Sequence, residues 1–320
     1  MTRYINLFTD FGFKKVFGTE ANKDLLISFL NQVIPDRKIA DLTYKPTEQL
    51  GIIDADRKVI YDLYCESTTG EKFIVELQRI RQVFFKDRAL YYSTFPIQEQ
   101  AQKGDWNYRL SPVYLVAILD FLIDDDETGN VKVEVKLMNT TTKKVFTDKL
   151  TYIYLQLPLF QKKEEELETL EDKWYYVLKN MSALSERPAR LQEKVFTKLF
   201  EIAEIARYEP QERNIYQASL KILWDWNATM ETYIKEGYEQ GMQEGMEKGI
   251  QQGIQQGIQQ GIQQGIQQGI QQGIQQGILE EKKQLIKKCF LKGMSATDTA
   301  ELVEMSIDEI IQIFDELRRL

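Results

Sequence analysis

Between Gly237 and Gly277 a glycine recurs at every fourth position, and from 249 to 276 the unit is GIQQ, seven times over. Such a segment cannot build a core of its own. Each helical glycine costs about 1 kcal/mol relative to alanine, and two of every four residues are Gln. A four-residue step advances a helix by about 400°, so the Ile stripe drifts by about 40° per unit. That drift does not fit the 3.5-residue period of a left-handed coiled coil. A marginal extended helix or a flexible spacer, ordered by self-association, is the expectation. Identical copies also point to tandem duplication of a short coding unit.

Globular folding therefore falls to the flanks. After the repeat, 279–320 reads as three short helices. Leu285–Leu291 is apolar-periodic and closed by Gly293, Ser295 N-caps the next helix, and Ser306 with Glu309 forms a capping box for the last. The shape resembles helix-turn-helix modules. The last helix, however, carries Asp308, Glu309, Asp315 and Glu316, so a small partner-binding or oligomerising bundle is expected rather than a DNA reader.

Before the repeat, helical and β-rich stretches alternate. Leu25, Leu26, Phe29, Leu30 and Val33 share one helical face, ended by Pro35. Val59–Glu66 and Lys72–Gln78 read as strands, Arg81–Lys103 as a long helix with a kink at Pro96, and Pro112–Leu122 as a buried central strand. Lys132–Leu137 and Leu150–Leu157 suggest further strands, and 158–236 reads as helical and charged. The pattern predicts an α/β sandwich divided as 1–157 core, 158–236 helical extension, 237–278 repeat and 279–320 helical tail.

The chain has no histidine and two cysteines, Cys65 and Cys289. Ser-His-Asp and Cys-His triads, HExxH zinc helices and closed Cys₄ or Cys₂His₂ sites are excluded. Catalysis is left to carboxylates, Lys, Tyr, Ser or Thr, or to a metal held by oxygen. Two cysteines without a disulfide framework, no secretory leader and no 18-residue apolar run suggest a cytoplasmic protein that does not enter membranes. Net charge is −8, yet 72–109 holds Lys72, Arg79, Arg81, Lys86, Arg88, Lys103 and Arg109 against four acids, so one basic face is compatible with an acidic whole.

The chemistry concentrates in one hairpin. A three-residue loop, Thr68–Gly70, with Gly at the left-handed position, pairs Ser67 with Glu71. Carried back along the strands, that register sets Asp62 directly opposite Glu76, with Cβ atoms about 4.5–5.5 Å apart. Gln78 shares the face, while Phe73, Val75 and Leu77 point into a core. Two carboxylates this close repel unless a cation sits between them or one is protonated. A divalent ion with oxygen ligands, Mg²⁺ above all, suits the pair and could activate water and polarise a phosphoryl oxygen without imidazole. A solvated edge pair is the bland alternative.

Several stretches then bear a family likeness: FTDFGFKKVFG (8–18), DLLISFLNQVI (24–34), YDLYCESTTGEKFIVELQ (61–78), the run from Arg88 to Phe121, and LPLF through DKWYYVLKN (157–180). In this order they resemble the Rpn family, recombination-promoting nucleases and transposases of the PD-(D/E)XK superfamily. The resemblance implies a restriction-endonuclease-like mixed sheet flanked by helices and Mg²⁺-dependent cleavage of DNA, with Mn²⁺ or Ca²⁺ as stand-ins in vitro. Asp62 and Glu76 match the superfamily's acids, and Gln78 stands where many members carry Lys, so its amide would orient water or phosphate but add no charge. Asp10 lies in the N-terminal signature and is a further candidate metal ligand, with Glu20 a weaker one; capping of the first helix is the competing role for Asp10. Arg79, Arg81, Lys86 and Arg88 could contact DNA phosphates, with an ordinary solvated face as the alternative, while Phe84, Phe85, Tyr91 and Tyr92 among them read more readily as core than as stacking surfaces for unpaired bases.

The resulting expectation is a metal-dependent DNA endonuclease, homo-oligomeric, with a protein partner taken through 237–320. The alternatives are an inhibitory or assembly module that keeps the fold without turnover, and an RNA nuclease on the same carboxylates.

Overall fold

The computed structural model describes residues 2–34, 37–49, 59–101, 106–123 and 129–319. Pro35 and Lys103, both named from the sequence, lie outside them. The chain divides into two compact units, Met1–Thr229 and Met230–Leu320.

The first unit begins with α1 (Asp10–Phe17) and α2 (Lys23–Val33). The strands are β1 (Leu42–Tyr44), β2 (Glu48–Gln49), β3 (Val59–Ile60), β4 (Leu63–Ser67), β5 (Lys72–Gln78), β6 (Val113–Leu119), β7 (Lys132–Lys136) and β8 (Leu150–Gln156). Helix α3 (Phe85–Gln98) joins β5 to β6, and α4 (Leu170–Asn180) and α5 (Lys194–Ala203) follow β8. Among the described residues, six strands form one mixed sheet in the order β1-β4-β5-β6-β8-β7, with β5, β6 and β8 parallel. This is the mixed sheet flanked by helices that the sequence led us to expect. Strand β6 is buried at every residue, as its unbroken apolar run requires of a strand covered on both faces.

Helices α1, α2, α4 and α5 share a core on one face, where the Trp174 ring lies 5.7 Å from Phe17 and from Phe29 and 5.1 Å from Phe196. Helix α3 covers the other face over Tyr61, Tyr64, Ile74 and Leu115. Pro96 lies inside α3. A proline has no N–H for the carbonyl four residues back, here that of Tyr92. The Tyr61 hydroxyl donates to this carbonyl at 2.9 Å, so a residue from the sheet replaces the missing helical bond.

The expected strand Val59–Glu66 is two strands. Val59 and Ile60 pair with Gln49 and Glu48, the Tyr61 N–H donates to the Thr47 carbonyl at 3.0 Å, and the main sheet resumes at Leu63. Tyr61 and Tyr64, three residues apart, bury on the same side, which strict alternation forbids. The break is thus a real change of phase at Tyr61–Asp62.

Helix α6 (Pro210–Leu291) begins in the first unit and contains the whole repeat in helical form. The periodic stretch Leu285–Leu291 is its end rather than a separate helix. In the second unit, α7 (Ala296–Val303) and α8 (Ile307–Arg318) close a small core of Ile286, Ala300, Val303, Ile310 and Phe314. Gly293 takes φ +73° at the end of α6, the left-handed position that favours glycine. Ser295 and Ser306 cap the last two helices, accepting the N–H groups of Asp298 and Glu309. Among the described residues no helix is long and apolar enough to cross a membrane.

Candidate active site

The hairpin has the register inferred from its loop: Leu63 opposes Val75, Tyr64 opposes Ile74, Cys65 opposes Phe73 and Glu66 opposes Lys72. Gly70 at φ +89° makes the turn possible. The next step in this register would set Asp62 against Glu76, but the strand breaks there, and the contact is made by side chains. The Asp62 Oδ2 accepts the Leu77 N–H at 2.7 Å, and the Asp62 N–H donates to Glu76 Oε1 at 3.3 Å. Gln78 Nε2 donates to Glu76 Oε2 at 3.3 Å. Both acids therefore stand at the carboxyl end of β5, the end of a parallel strand where ligand crevices of open α/β sheets lie.

Burial pushes the Glu76 carboxyl up to about 8, and the charge of Asp62 adds to the effect. Asp62 is raised as well. Burial is the main cause and Asp10 adds to it, while the Leu77 N–H, Lys14 and Arg88 oppose it. A buried Glu76 and a partly buried Asp62 that both disfavour ionisation define a place where a cation would be welcome. Mg²⁺ needs only one or two protein carboxylates and completes its shell with water and substrate phosphate. Among the described residues no group of three or more acids or cysteines is placed to hold an ion, so an ion would rest on Asp62 and Glu76, a donor set that fits a hard divalent cation.

The other candidates divide. Asp62, Gln78, Asp10 and Arg79 line one cleft of about 320 Å³. Thr9, not Asp10, caps α1, its hydroxyl accepting the Gly12 N–H at 3.0 Å, and Asp10 is paired with Lys14 at 2.6 Å. Glu20 is paired with Lys23 at 2.7 Å. Arg79 is half-buried, donates Nη2 to Asn227 at 3.2 Å and keeps a buried Nε without an acceptor among the described residues. Arg88 donates to Gln82 at 2.8 Å, lies over the Tyr92 ring at 5.6 Å, and its charge reaches both acids. Arg81 and Lys86 border an adjoining cavity with Phe84. Of the aromatics, Phe84 and Tyr91 are exposed and Phe85 is core. Lys72, on the same strand, is buried and engaged by Glu99 at 2.5 Å and Glu66 at 3.5 Å.

One wall of the cleft and one acid beside Gln78 escaped sequence reasoning. One wall is α6, through Ser219, Ile222, Leu223 and Trp226, and nothing local in 219–226 signals that role. Asp120 donates its N–H to the Gln78 carbonyl at 2.9 Å. Its carboxyl is raised by burial against the pull of Arg79 and Lys179. An acid ending the apolar run of β6 was a usable signal.

A family model described as PD-(D/E)XK nuclease family transposase matches residues 7–233, most of the chain and every residue that lines the cleft. No curated protein and no solved structure matches it.

Proposed function

Because the chain belongs to the PD-(D/E)XK nuclease family transposases, we propose that it is a Mg²⁺-dependent DNA endonuclease that promotes recombination. The observation carrying this reading is the close approach of two acids, the buried Glu76 and the partly buried Asp62, joined where the Asp62 N–H donates to Glu76. When bound, the ion would neutralise both and polarise a phosphoryl oxygen. Asp62 and Glu76 would hold it, while Asp10 lines the same cleft and is paired with Lys14. Gln78, fixed by its bond to Glu76, would orient the attacking water or the phosphate. Water then attacks phosphorus and gives up a proton to solvent or to a phosphate oxygen, while the bridging P–O bond breaks and its oxygen leaves as a sugar hydroxyl, taking a proton from solvent. Arg79, Arg81, Lys86 and Arg88 would contact the DNA backbone. Residues 237–320 would serve self-association or a protein partner, and a reducing cytoplasm would keep Cys65 and Cys289 as thiols.

The test is nicking of supercoiled plasmid by purified full-length protein with Mg²⁺ or with chelator. Wild type is expected to nick only with metal, without a histidine-like inflection near pH 6.5, and Asp62→Ala and Glu76→Ala are expected to lose at least about 100-fold. Metal-dependent nicking that survives Asp62→Ala would sink the site assignment. Clean wild-type protein inert with Mg²⁺, Mn²⁺ and Ca²⁺ would favour the assembly or inhibitory reading, and cleavage confined to an RNA substrate would favour the RNA one.

A further inference from the structure

The segment between β5 and α3 leaves two apolar side chains in solvent: Val83 is 90% exposed and Phe84 72%. Phe84 occupies the N-cap of α3, where no side chain caps the helix. Ser, Thr, Asp and Asn are strongly preferred at that position, so this residue forgoes a cap and is exposed as well. Local rules broken in this way tend to mark function.

The position is not loose. The next residue, Phe85, is 7% exposed and packs against Phe121 at 5.5 Å and Tyr154 at 5.4 Å. The Phe85 N–H donates to the Gln82 carbonyl at 3.0 Å, and the Arg88 N–H to the Phe84 carbonyl at 2.9 Å. Gln82 lines both the cleft that holds Asp62 and the cavity of about 290 Å³ that contains Val83 and Phe84. The exposed pair therefore adjoins the cleft that Asp62 lines. Between residues 79 and 98 stand Arg79, Arg81, Lys86 and Arg88 against the single acid Asp87, a charge balance that suits a polyanion.

We propose that Val83 and Phe84 form an apolar wedge for unstacked bases, so that the preferred substrate is DNA with locally unpaired bases rather than uniform duplex. The inference rests on the nuclease reading of the neighbouring acids. The flanking cations serve phosphates, which every duplex offers alike. An aromatic and an aliphatic side chain gain nothing from phosphate, but they match the face of a base that has left the stack.

The experiment compares full-length wild type, Phe84→Ser and Phe84→Trp on a 30-base-pair duplex and on the same duplex with a central three-nucleotide bubble. Affinity is measured with chelator present and nicking with Mg²⁺. Wild type is expected to bind the bubbled DNA about tenfold or more tightly than the duplex, the scale of one aromatic stack. Phe84→Ser should abolish most of that preference while holding duplex affinity within about twofold and raising the thermal midpoint, since Ser supplies the missing cap. Phe84→Trp should keep the preference. A wild type that nicks without preferring the bubble overturns the wedge alone, as does an unchanged preference in Phe84→Ser. Failure to bind either DNA overturns the wedge and the nuclease reading together. A change of oligomeric state in Phe84→Ser, read by light scattering, would assign the face to a second copy of the chain and likewise overturn the proposal.

Discussion

Tyr61 ties helix α3 to the chain beside Asp62. Its hydroxyl satisfies the carbonyl that Pro96 leaves without a helical donor, and its own N–H closes the strand break onto Thr47. Tyr61→Phe is expected to cost about 1–3 kcal/mol, the range for a carbonyl left unsatisfied, seen in urea unfolding; unchanged stability would show that the bond contributes nothing. Glu76 makes a prediction of opposite character. Its carboxyl sits at about 8 in the fold against an ordinary 4.5, so between those values the metal-free native state holds a proton that the unfolded chain has released. Stability must then fall as pH rises through that window. With chelator, the thermal midpoint of wild type is expected to drop relative to Glu76→Gln from pH 5 to pH 8, and divalent ion at pH 8 should restore wild type more than the variant. A gap that narrows with rising pH would contradict the burial described for this acid.

Elements show where glycine and capping matter. An added Cβ at any repeat glycine from Gly237 to Gly277 meets nothing within 4 Å. Replacing Gly253, Gly257 and Gly261 by Ala should therefore strengthen α6 by about 1 kcal/mol each in helix propensity, measured as a higher midpoint of the helical circular-dichroism signal. Loss of self-association in the same variant would instead show that another chain approaches those backbones. In α4, Thr169 and Asp172 form a capping box, and Asp172 is held low: burial works against this, but Lys162 and the Thr169 N–H outweigh it. Its contribution is present above the unfolded value near 3.9 and vanishes as pH falls through the depressed value. Asp172→Asn should thus destabilise by about 1 kcal/mol at neutral pH and converge with wild type in acid. These caps, the hairpin loop and the apolar run of β6 were legible because each is decided by residues within a turn or two of one another. The phase change at Tyr61–Asp62 was not, since it depends on Thr47 and on the pairing of β2, well upstream.

For the molecule as a whole, the proposed nuclease reading requires that an acidic chain of net charge −8 meet DNA through a local cationic stretch. Binding should weaken steeply with salt, and Arg81→Ala with Lys86→Ala should flatten the log–log salt slope by about 2 if each neutralises one phosphate. An unchanged slope would remove both from the DNA interface. The acid pair could be inferred from the sequence because both acids belong to one hairpin. The α6 wall could not, because Ser219 and Trp226 reach the cleft from the far end of the unit. That separation has a consequence for the order in which the molecule is made. Synthesis proceeds from the N-terminus and local structure forms as it emerges, so the Asp62 and Glu76 hairpin can fold while α6 is still untranslated. The nascent chain then carries both acids beside an open trough, and the cleft acquires its wall only after residue 226 has left the ribosome. If the proposed nuclease reading holds, an enzyme able to cut the genome of the cell that makes it would by this sequence of events gain its grip on DNA last.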